Sequence, residues 1–235
     1  ILNVATDKAV LEANTVYGAL RGIETFLQLV FTNNDRTFLQ TVKIEDAPRY
    51  PYRGVMIDVC RHWIPKKVIL QNLDAMAAAK MNVLHLHLTE YQGFRVESKV
   101  YPKLHELGSN GDYFTQKDIQ QIVKYARDRG IRVIPEFDLP GHSTSFLVGY
   151  PELAAAPGPY QLDTLYGILP PVLDPTKESV YGFLDAFLGE MAALFPDEYV
   201  HIGGDEVNTK DWENNPSITA FMEKEGIEDY HALQA

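Results

Sequence analysis

The sequence predicts an α/β fold: the first four βα units of a TIM-type (β/α)8 barrel, a half-barrel, preceded by the tail of a small α+β domain. Three observations carry this reading. From Arg53 onward one pattern recurs four times, a short apolar run followed by a polar or glycine-containing loop and then an amphipathic helix. Such alternation marks parallel strands covered by helices. Helix-to-strand links are short, as in Lys80-Met81-Asn82 and Arg129-Gly130, while strand-to-helix loops are long, about 89–114 and 138–173. Barrels build their sites from those long loops, at the C-terminal strand ends. No glycine-rich phosphate loop follows any strand, which favours a barrel over a doubly wound open sheet. Eight units close a barrel, and this chain supplies four.

The first 48 residues follow another pattern. Residues 1–4 read as a short strand, and Thr15 is placed as the N-cap of a helix over 16–30 with Leu20, Ile23, Leu27 and Val30 on one face. Asn33-Asn34-Asp35 makes a turn, and 38–44 alternates as a strand. A strand-helix-strand piece this small cannot bury its own faces. Residues 1–48 are therefore assigned to the end of an α+β domain plus linker and 49–235 to the half-barrel, with Pro48 and Pro51 in the linker stretch 46–51 that spans the boundary.

Within the half-barrel, strands are predicted over 54–59, 83–88, 131–137 and 199–202. The first helix carries Ile69, Leu73, Met76 and Ala77 on one face. The second carries Ile119, Ile122, Val123 and Ala126, opened by a capping box of Thr115 and Asp118 and stopped by Gly130. The third carries Val180, Phe183, Leu184, Phe187, Leu188 and Met191 and is entered through Asp174-Pro175. A fourth is predicted over 217–225.

Bulk properties narrow the classes of partner. The length is ample for a sizeable core, and 46% apolar with 23% charged residues describes an ordinary globular protein. A formal charge of -11 argues against nucleic acid and anionic membrane surfaces. No apolar run approaches the roughly 20 residues of a membrane span. Cys60 is alone, so an intrachain disulfide is impossible. No segment reads as a signal peptide, and secreted, periplasmic and cytoplasmic locations all fit.

Every predicted strand ends in polar groups. They are Asp58, Arg61 and His62; His85, His87, Glu90 and Arg95; Glu136, Asp138 and His142; and His201, Asp205 and Glu206. Four such ends along one edge of a sheet point to a site. At the last, Gly203-Gly204 lets the backbone turn sharply and a ligand come close. The adjacent carboxylates of Asp205 and Glu206 repel unless one is protonated or paired, the condition a proton donor at neutral pH needs. Blander readings stand beside this one. Glu136 and His87 serve either as satisfied interior groups or as substrate contacts, Asp58 as the partner of Arg61, and Arg95 as a salt-bridge residue. Tyr91, Trp63 and Trp212 are either sugar platforms or loop packing. His85 and His87 point the same way from one strand and could hold a hydrolytic metal. Further ligands from later strands are not placed, however, and no metal or cofactor is expected.

The same residues carry a resemblance. In order along the chain, Asp-Val-Cys-Arg-His-Trp (58–63), Asn-Val-Leu-His-Leu-His-Leu-Thr-Glu-Tyr-Gln-Gly-Phe-Arg (82–95), Pro-Glu-Phe-Asp-Leu-Pro-Gly-His (135–142) and His-Ile-Gly-Gly-Asp-Glu-Val (201–207) resemble the successive motifs of family 20 glycoside hydrolases, the β-N-acetylhexosaminidases. The piece with Tyr17-Gly18 is similar to the end of the small α+β domain that precedes the barrel in that family. The resemblance implies substrate-assisted, retaining hydrolysis, in which the 2-acetamido oxygen of the sugar is the nucleophile, an exception to the usual two-carboxylate scheme. It assigns Glu206 as general acid and then base, and Asp205 as the group that orients the acetamide and stabilises its charge. Arg61 is implied to hold sugar hydroxyls, Asp138 and His142 to line the site with His142 supporting Glu206, and Glu90 and His201 to complete the substrate-binding set.

Two departures are visible. Where the family usually has Asp-Asp, this chain has Glu90-Tyr91. The extra methylene of Glu90 is expected to disturb its hydrogen bond to the His142 region, and Tyr91 removes a charge near the pocket. The family also walls its acetamide pocket with tryptophans, a tyrosine and an acid from the second half of the barrel, which this sequence does not contain. The implied substrates are glycans ending in β-linked N-acetylglucosamine or N-acetylgalactosamine. An open half-barrel exposes apolar edges, so a homodimer or larger self-assembly is expected. The alternative is a catalytically impaired or merely sugar-binding half-barrel that completes its site by self-association.

Overall fold

The computed structural model describes residues 1–235. Its first 44 residues make a small antiparallel layer. β1 (Leu2–Val4) pairs with β2 (Ala9–Leu11) on one side and β5 (Val42–Ile44) on the other. Between them runs α1 (Val16–Gln28), capped by Thr15, whose hydroxyl accepts the Gly18 N–H. Asn34 and Asp35 both have positive φ, 47° and 62°, as the two central residues of a type I′ turn require. They join β3 (Val30–Asn33) to β4 (Arg36–Leu39). The strand expected over 38–44 is thus split between β4 and β5, which lie in different sheets, and β2 had no counterpart in the expectation. Alternation reveals an extended segment but not its partner. Here the tight turn gives β4 to β3 and leaves β5 to β1.

The main sheet is parallel, in the order β10 (Arg132–Glu136), β7 (Val83–His87), β6 (Gly54–Asp58). Gly54 and Arg132 align with Val83, and Asp58 and Glu136 align with His87. The fourth expected strand shrinks to a single parallel bridge between Glu136 and His201. There the His201 N–H donates to the Pro135 carbonyl at 2.9 Å, and the His201 carbonyl accepts the Phe137 N–H at 3.0 Å. The pairing stops because Gly203 and Gly204, at φ 65° and 103°, swing the chain out of extension.

Helices cover one face of this sheet. α2 (Lys66–Ala78) links β6 to β7. A short hairpin of β8 (Thr89–Glu90) and β9 (Gly93–Phe94), then α3 (Lys103–Gly108) and α4 (Gln116–Arg127), lead to β10. α5 (Thr144–Gly149), α6 (Glu178–Leu194), α7 (Lys210–Glu213), α8 (Pro216–Glu225) and α9 (Tyr230–Gln234) follow. The long loops therefore hold short elements of their own. The capping box of Thr115 and Asp118 opens α4 as expected. α6 instead starts behind Lys177, and α8 behind an Asn215 cap.

The core lies between the outward side of the sheet and these helices. Ile57, Leu84, Leu86, Leu88 and Phe137 alternate with the inward-facing residues and meet Ile69, Leu73, Ile119, Ile122, Phe187 and Met191 in one cluster. Full burial of such a side chain contributes roughly 1.5–3 kcal/mol. A second, smaller core surrounds Trp212, whose indole N–H donates to the Leu173 carbonyl at 2.8 Å. No helix is long and apolar enough to cross a membrane.

One side chain ties the N-terminal layer to the sheet. The Arg21 guanidinium donates to the carbonyls of Ala77 (3.0 Å), Met81 (2.9 Å) and Arg129 (2.9 Å), at or just beyond the C-terminal ends of α2 and α4. Helix ends leave carbonyls without intrahelical partners and attract cations. Replacing Arg21 by Met should lower the stability measured by urea denaturation by about 1–3 kcal/mol. An unchanged midpoint would mean that water replaces the guanidinium at no cost.

Candidate active site

Strand alternation decides which side chains face the open side of the sheet. Asp58, His87, Glu136 and His201 are cross-strand neighbours on that inward face, and His85 sits two residues before His87. The Glu136 carboxylate lies 2.5 Å from His85 Nε2, 3.1 Å from His87 Nδ1 and 3.4 Å from His201 Nδ1. Burial pushes the Glu136 carboxyl up, but bonding to His85 and His87 more than reverses this and holds it well below the usual carboxylate range. Burial likewise pulls His87 down, and Glu136 raises it by more.

The later-strand groups that a metal would need therefore exist, since donor atoms of His85, Glu136 and His201 lie within 4.8 Å of one another. These groups lie against one another across the strands. Glu136 Oε2 serves both His85 and His87, and His201 Nδ1 accepts the Gly203 N–H at 3.0 Å. The group is a cluster of one carboxylate and three imidazoles at the strand ends. His201 belongs to it, rather than to the groups around Glu206.

A second layer forms just beyond the strand ends. Asp58 Oδ1 accepts the N–H groups of Cys60 (2.8 Å) and Arg61 (3.1 Å), while Oδ2 takes the Arg61 guanidinium at 2.7 Å. Asp58 thereby shapes the turn and aims Arg61. The other arm of that guanidinium reaches Glu90 Oε2 at 2.7 Å. Glu90 is fully buried, and its carboxylate also holds His142 Nδ1, with Oε1 making the shorter contact and Oε2 lying 3.1 Å away. His142 Nε2 is 3.5 Å from Glu206 Oε2. A continuous line runs from Arg61 through Glu90 and His142 to Glu206. The disturbance expected from the extra methylene of Glu90 does not occur, because the longer side chain spans from Arg61 to His142.

Asp138 completes the layer. Its N–H donates to Thr89 Oγ1 and its Oδ1 accepts the Gly204 N–H, both at 2.9 Å. Donor atoms of Asp138, His142 and Asp205 lie within 4.8 Å of one another. Burial, with the charges of Asp205 and Glu136 added, pushes the Asp138 carboxyl up to about 7 against the pull of Gly204 and His142. Burial lowers His142, and Glu90 more than compensates, leaving it raised. Gly203 is obligatory here: its φ is 65°, and a Cβ would fall 1.8 Å from Asp138 Oδ1. His142 and Glu206 also sit at positive φ, 49° and 50°, a conformation that costs other residues on the order of 1–3 kcal/mol and clusters at functional sites.

Several side chains take other roles. Arg95 pairs with no carboxylate. It donates to the carbonyls of Cys60, Ser109 and Asp112, sewing together loops beside the sheet, which corrects the salt-bridge reading. Trp63 packs on Phe114 with ring centroids 4.6 Å apart, and Trp212 is buried, so both are loop packing. His62 is exposed. Sequence reasoning passed over Thr89 and over Gln234, whose amide donates to the Gly204 carbonyl at 2.6 Å. Thr89 stood inside a quoted motif; a contact 30 residues away, like that of Gln234, leaves no local signal.

The model of "Glycosyl hydrolase family 20, catalytic domain" matches residues 50–235. The β-hexosaminidase β subunit of Mus musculus is 44% identical, covering 100% of this chain and 44% of its own length. The α subunit of Rattus norvegicus is 43% identical with the same coverage. Among solved structures, the Flavobacterium johnsoniae chitobiase superposes with a TM-score of 0.97 at 44% identity, over 99% of this chain and 35% of that one. An exo-β-N-acetylglucosaminidase from Vibrio harveyi, solved with N-acetylglucosamine, gives 0.86 at 32% identity, over 99% and 40%. The chain spans less than half the length of these relatives.

Asp138 and His142 both hold protons more tightly in the folded chain than in the unfolded one. The stability this contributes is fully present below the unfolded values, about 4 for Asp138 and about 6.5 for His142, and is lost as pH rises through the folded ones. For Asp138 the loss falls between about pH 4 and 7. Asp138→Asn, which keeps an oxygen for the Gly204 N–H, should flatten the decline in urea midpoint between pH 5 and 8. A slope equal to that of the wild type would place the proton on another group.

Proposed function

The chain belongs to glycosyl hydrolase family 20, and from that premise we propose that it is a β-N-acetylhexosaminidase that removes terminal β-linked N-acetylglucosamine or N-acetylgalactosamine from glycans. The observation that carries this reading is the line from the buried Glu90 through His142 to the half-exposed Glu206. A carboxyl that must give up a proton and later take one back needs a neighbour that can follow its charge. His142 has that position, fixed from behind by Glu90.

The proposed course uses only groups of the sugar and of this site. The acetamido oxygen attacks the anomeric carbon while the bond to the leaving oxygen breaks, and Glu206 transfers its proton to that oxygen. Asp205 accepts a hydrogen bond from the acetamide N–H and balances the positive charge that develops there. Water then attacks the anomeric carbon, Glu206 takes its proton, and the acetamide is restored with net retention. Arg61, held by Asp58 and Glu90, is aimed to donate to sugar hydroxyls. The turn at Gly203-Gly204 brings both adjacent carboxyls to His142, Asp205 on the side shared with Asp138 and Glu206 3.5 Å from His142 Nε2.

The strands β6, β7 and β10 and the bridge at His201, each followed by helix, are further read as four consecutive units of a (β/α)8 barrel over 49–235. Residues 1–48 are read as part of the α+β domain before it. Met56 on the inward face and Tyr199 and Ile202 at the sheet edge are exposed, which supports self-association through this side. Light scattering at micromolar concentration should give at least twice the mass of one chain, and a stable monomer would overturn that part of the reading.

Glu206→Gln should cut kcat/KM on an aryl β-N-acetylglucosaminide by roughly 10²–10⁴-fold, the usual reach of a general acid-base group. Turnover equal to the wild type would refute the hydrolase assignment.

A further inference from the structure

Residues 163–171 belong to no helix or strand, yet their backbone is held from three directions. The Tyr91 hydroxyl donates to the Leu169 carbonyl at 2.9 Å and accepts the Leu169 N–H at 3.1 Å. The Tyr91 carbonyl accepts the Asp163 N–H at 3.1 Å, and the Gln92 amide donates to the Leu165 carbonyl at 2.6 Å. Thr144 Oγ1 donates to Asp163 Oδ2 at 3.3 Å, and Asn208 Nδ2 donates to the Ile168 carbonyl at 3.1 Å. Tyr91 and Gln92 follow Glu90, Thr144 stands two residues past His142, and Asn208 two past Glu206. The loop is thus fastened to each of the three segments that carry the Glu90-His142-Glu206 line.

Tyr91 is the central fastening. Its buried ring lies on the His142 ring, centroids 4.7 Å apart at 36°. Its hydroxyl both gives and accepts a hydrogen bond with one residue, which an ionised carboxylate could not do. Leu165, Tyr166 and Ile168 of the same loop are exposed by 65%, 76% and 50%. Three large apolar side chains thus stand exposed on a pinned backbone, and one of its fastenings, Asn208, follows Glu206 by two residues. The apolar C–H face of a pyranose suits an aromatic ring of this kind.

We propose that residues 163–171 form the leaving-group side of the site, with Leu165 and Tyr166 as a platform for the ring of the departing sugar and Tyr91 as the positioning residue that fixes the platform against His142. The proposal rests on the reading of Glu206 as the general acid.

The test compares two donors, N,N′-diacetylchitobiose and N-acetylglucosaminyl β-fluoride, whose leaving group has no ring. Tyr166→Ala should lower kcat/KM on the disaccharide by about tenfold, the scale of one aromatic contact, and leave the fluoride within about twofold. Tyr91→Phe keeps the ring on His142 but removes both bonds to Leu169. It should show the same split through a raised KM, with faster amide exchange at Leu169 and unmoved His142 ring resonances. Equal losses on both donors, or none on either, would overturn the proposal. A wild-type chain inactive on both donors would refute the hydrolase reading alone, and titration would then decide the platform. Tyr166 ring signals shifted by the disaccharide but not by N-acetylglucosamine would support it, and signals unmoved by either sugar would refute it.

Discussion

A carboxylate without access to water, that of Glu90, is the constraint on which the rest of this site depends. An ionised carboxyl at such a depth is sustained only by partners that bond to it, and loss of one partner costs several kcal/mol. Arg61 and His142 are those partners. They stand on loops after two different strands, so the ion pairs fix the spacing of those loops as firmly as any apolar contact could. Glu206 reaches His142 from a third loop. What the chain can do chemically follows from this one buried charge, because it sets the orientation of the imidazole and thereby the surroundings of the proposed acid.

Below that layer, the Glu136 network solves a related problem. The inward side of a parallel strand is ordinarily apolar, whereas here β6, β7, β10 and the bridge bring Asp58, His87, Glu136 and His201 into one row. Glu136 is the common partner of His85 and His87, and His201 lies within reach of it. The row keeps the strand ends in register beneath the loops they carry. Gly203 shows how closely the two layers are fitted. No residue with a Cβ could occupy its place beside Asp138, and the same turn presents the Gly204 N–H to the Asp138 carboxyl.

Where this chain departs from the family pattern, the departure has a structural consequence. Glu90 keeps its pairing by reaching further. Tyr91 gives up a charge and gains a two-way hydrogen bond to Leu169, which anchors a loop that an acid could not hold in the same way. The substitution at position 91 thus changes what borders the site more than it changes the chemistry at its centre.

The sequence by itself determined the α/β class, the first three strand-loop-helix repeats, the α4 capping box and the polar strand ends, because each is written in local periodicity, turn chemistry or the spacing of residues within one segment. The family motifs named Glu206, Asp205, Arg61, Asp138 and His142 for the same reason, each standing within a short run of neighbours. Only the tertiary structure decided partnership. It gave Glu90 to both Arg61 and His142, moved His201 into the Glu136 network, turned Arg95 from carboxylates to carbonyls, and divided residues 38–44 between two sheets. Contacts across 50 residues or more, such as Glu90 with His142 and Arg21 with the ends of α2 and α4, arise when packing brings distant segments together. Local pattern shows that a side chain can bond, and the fold decides what it bonds to.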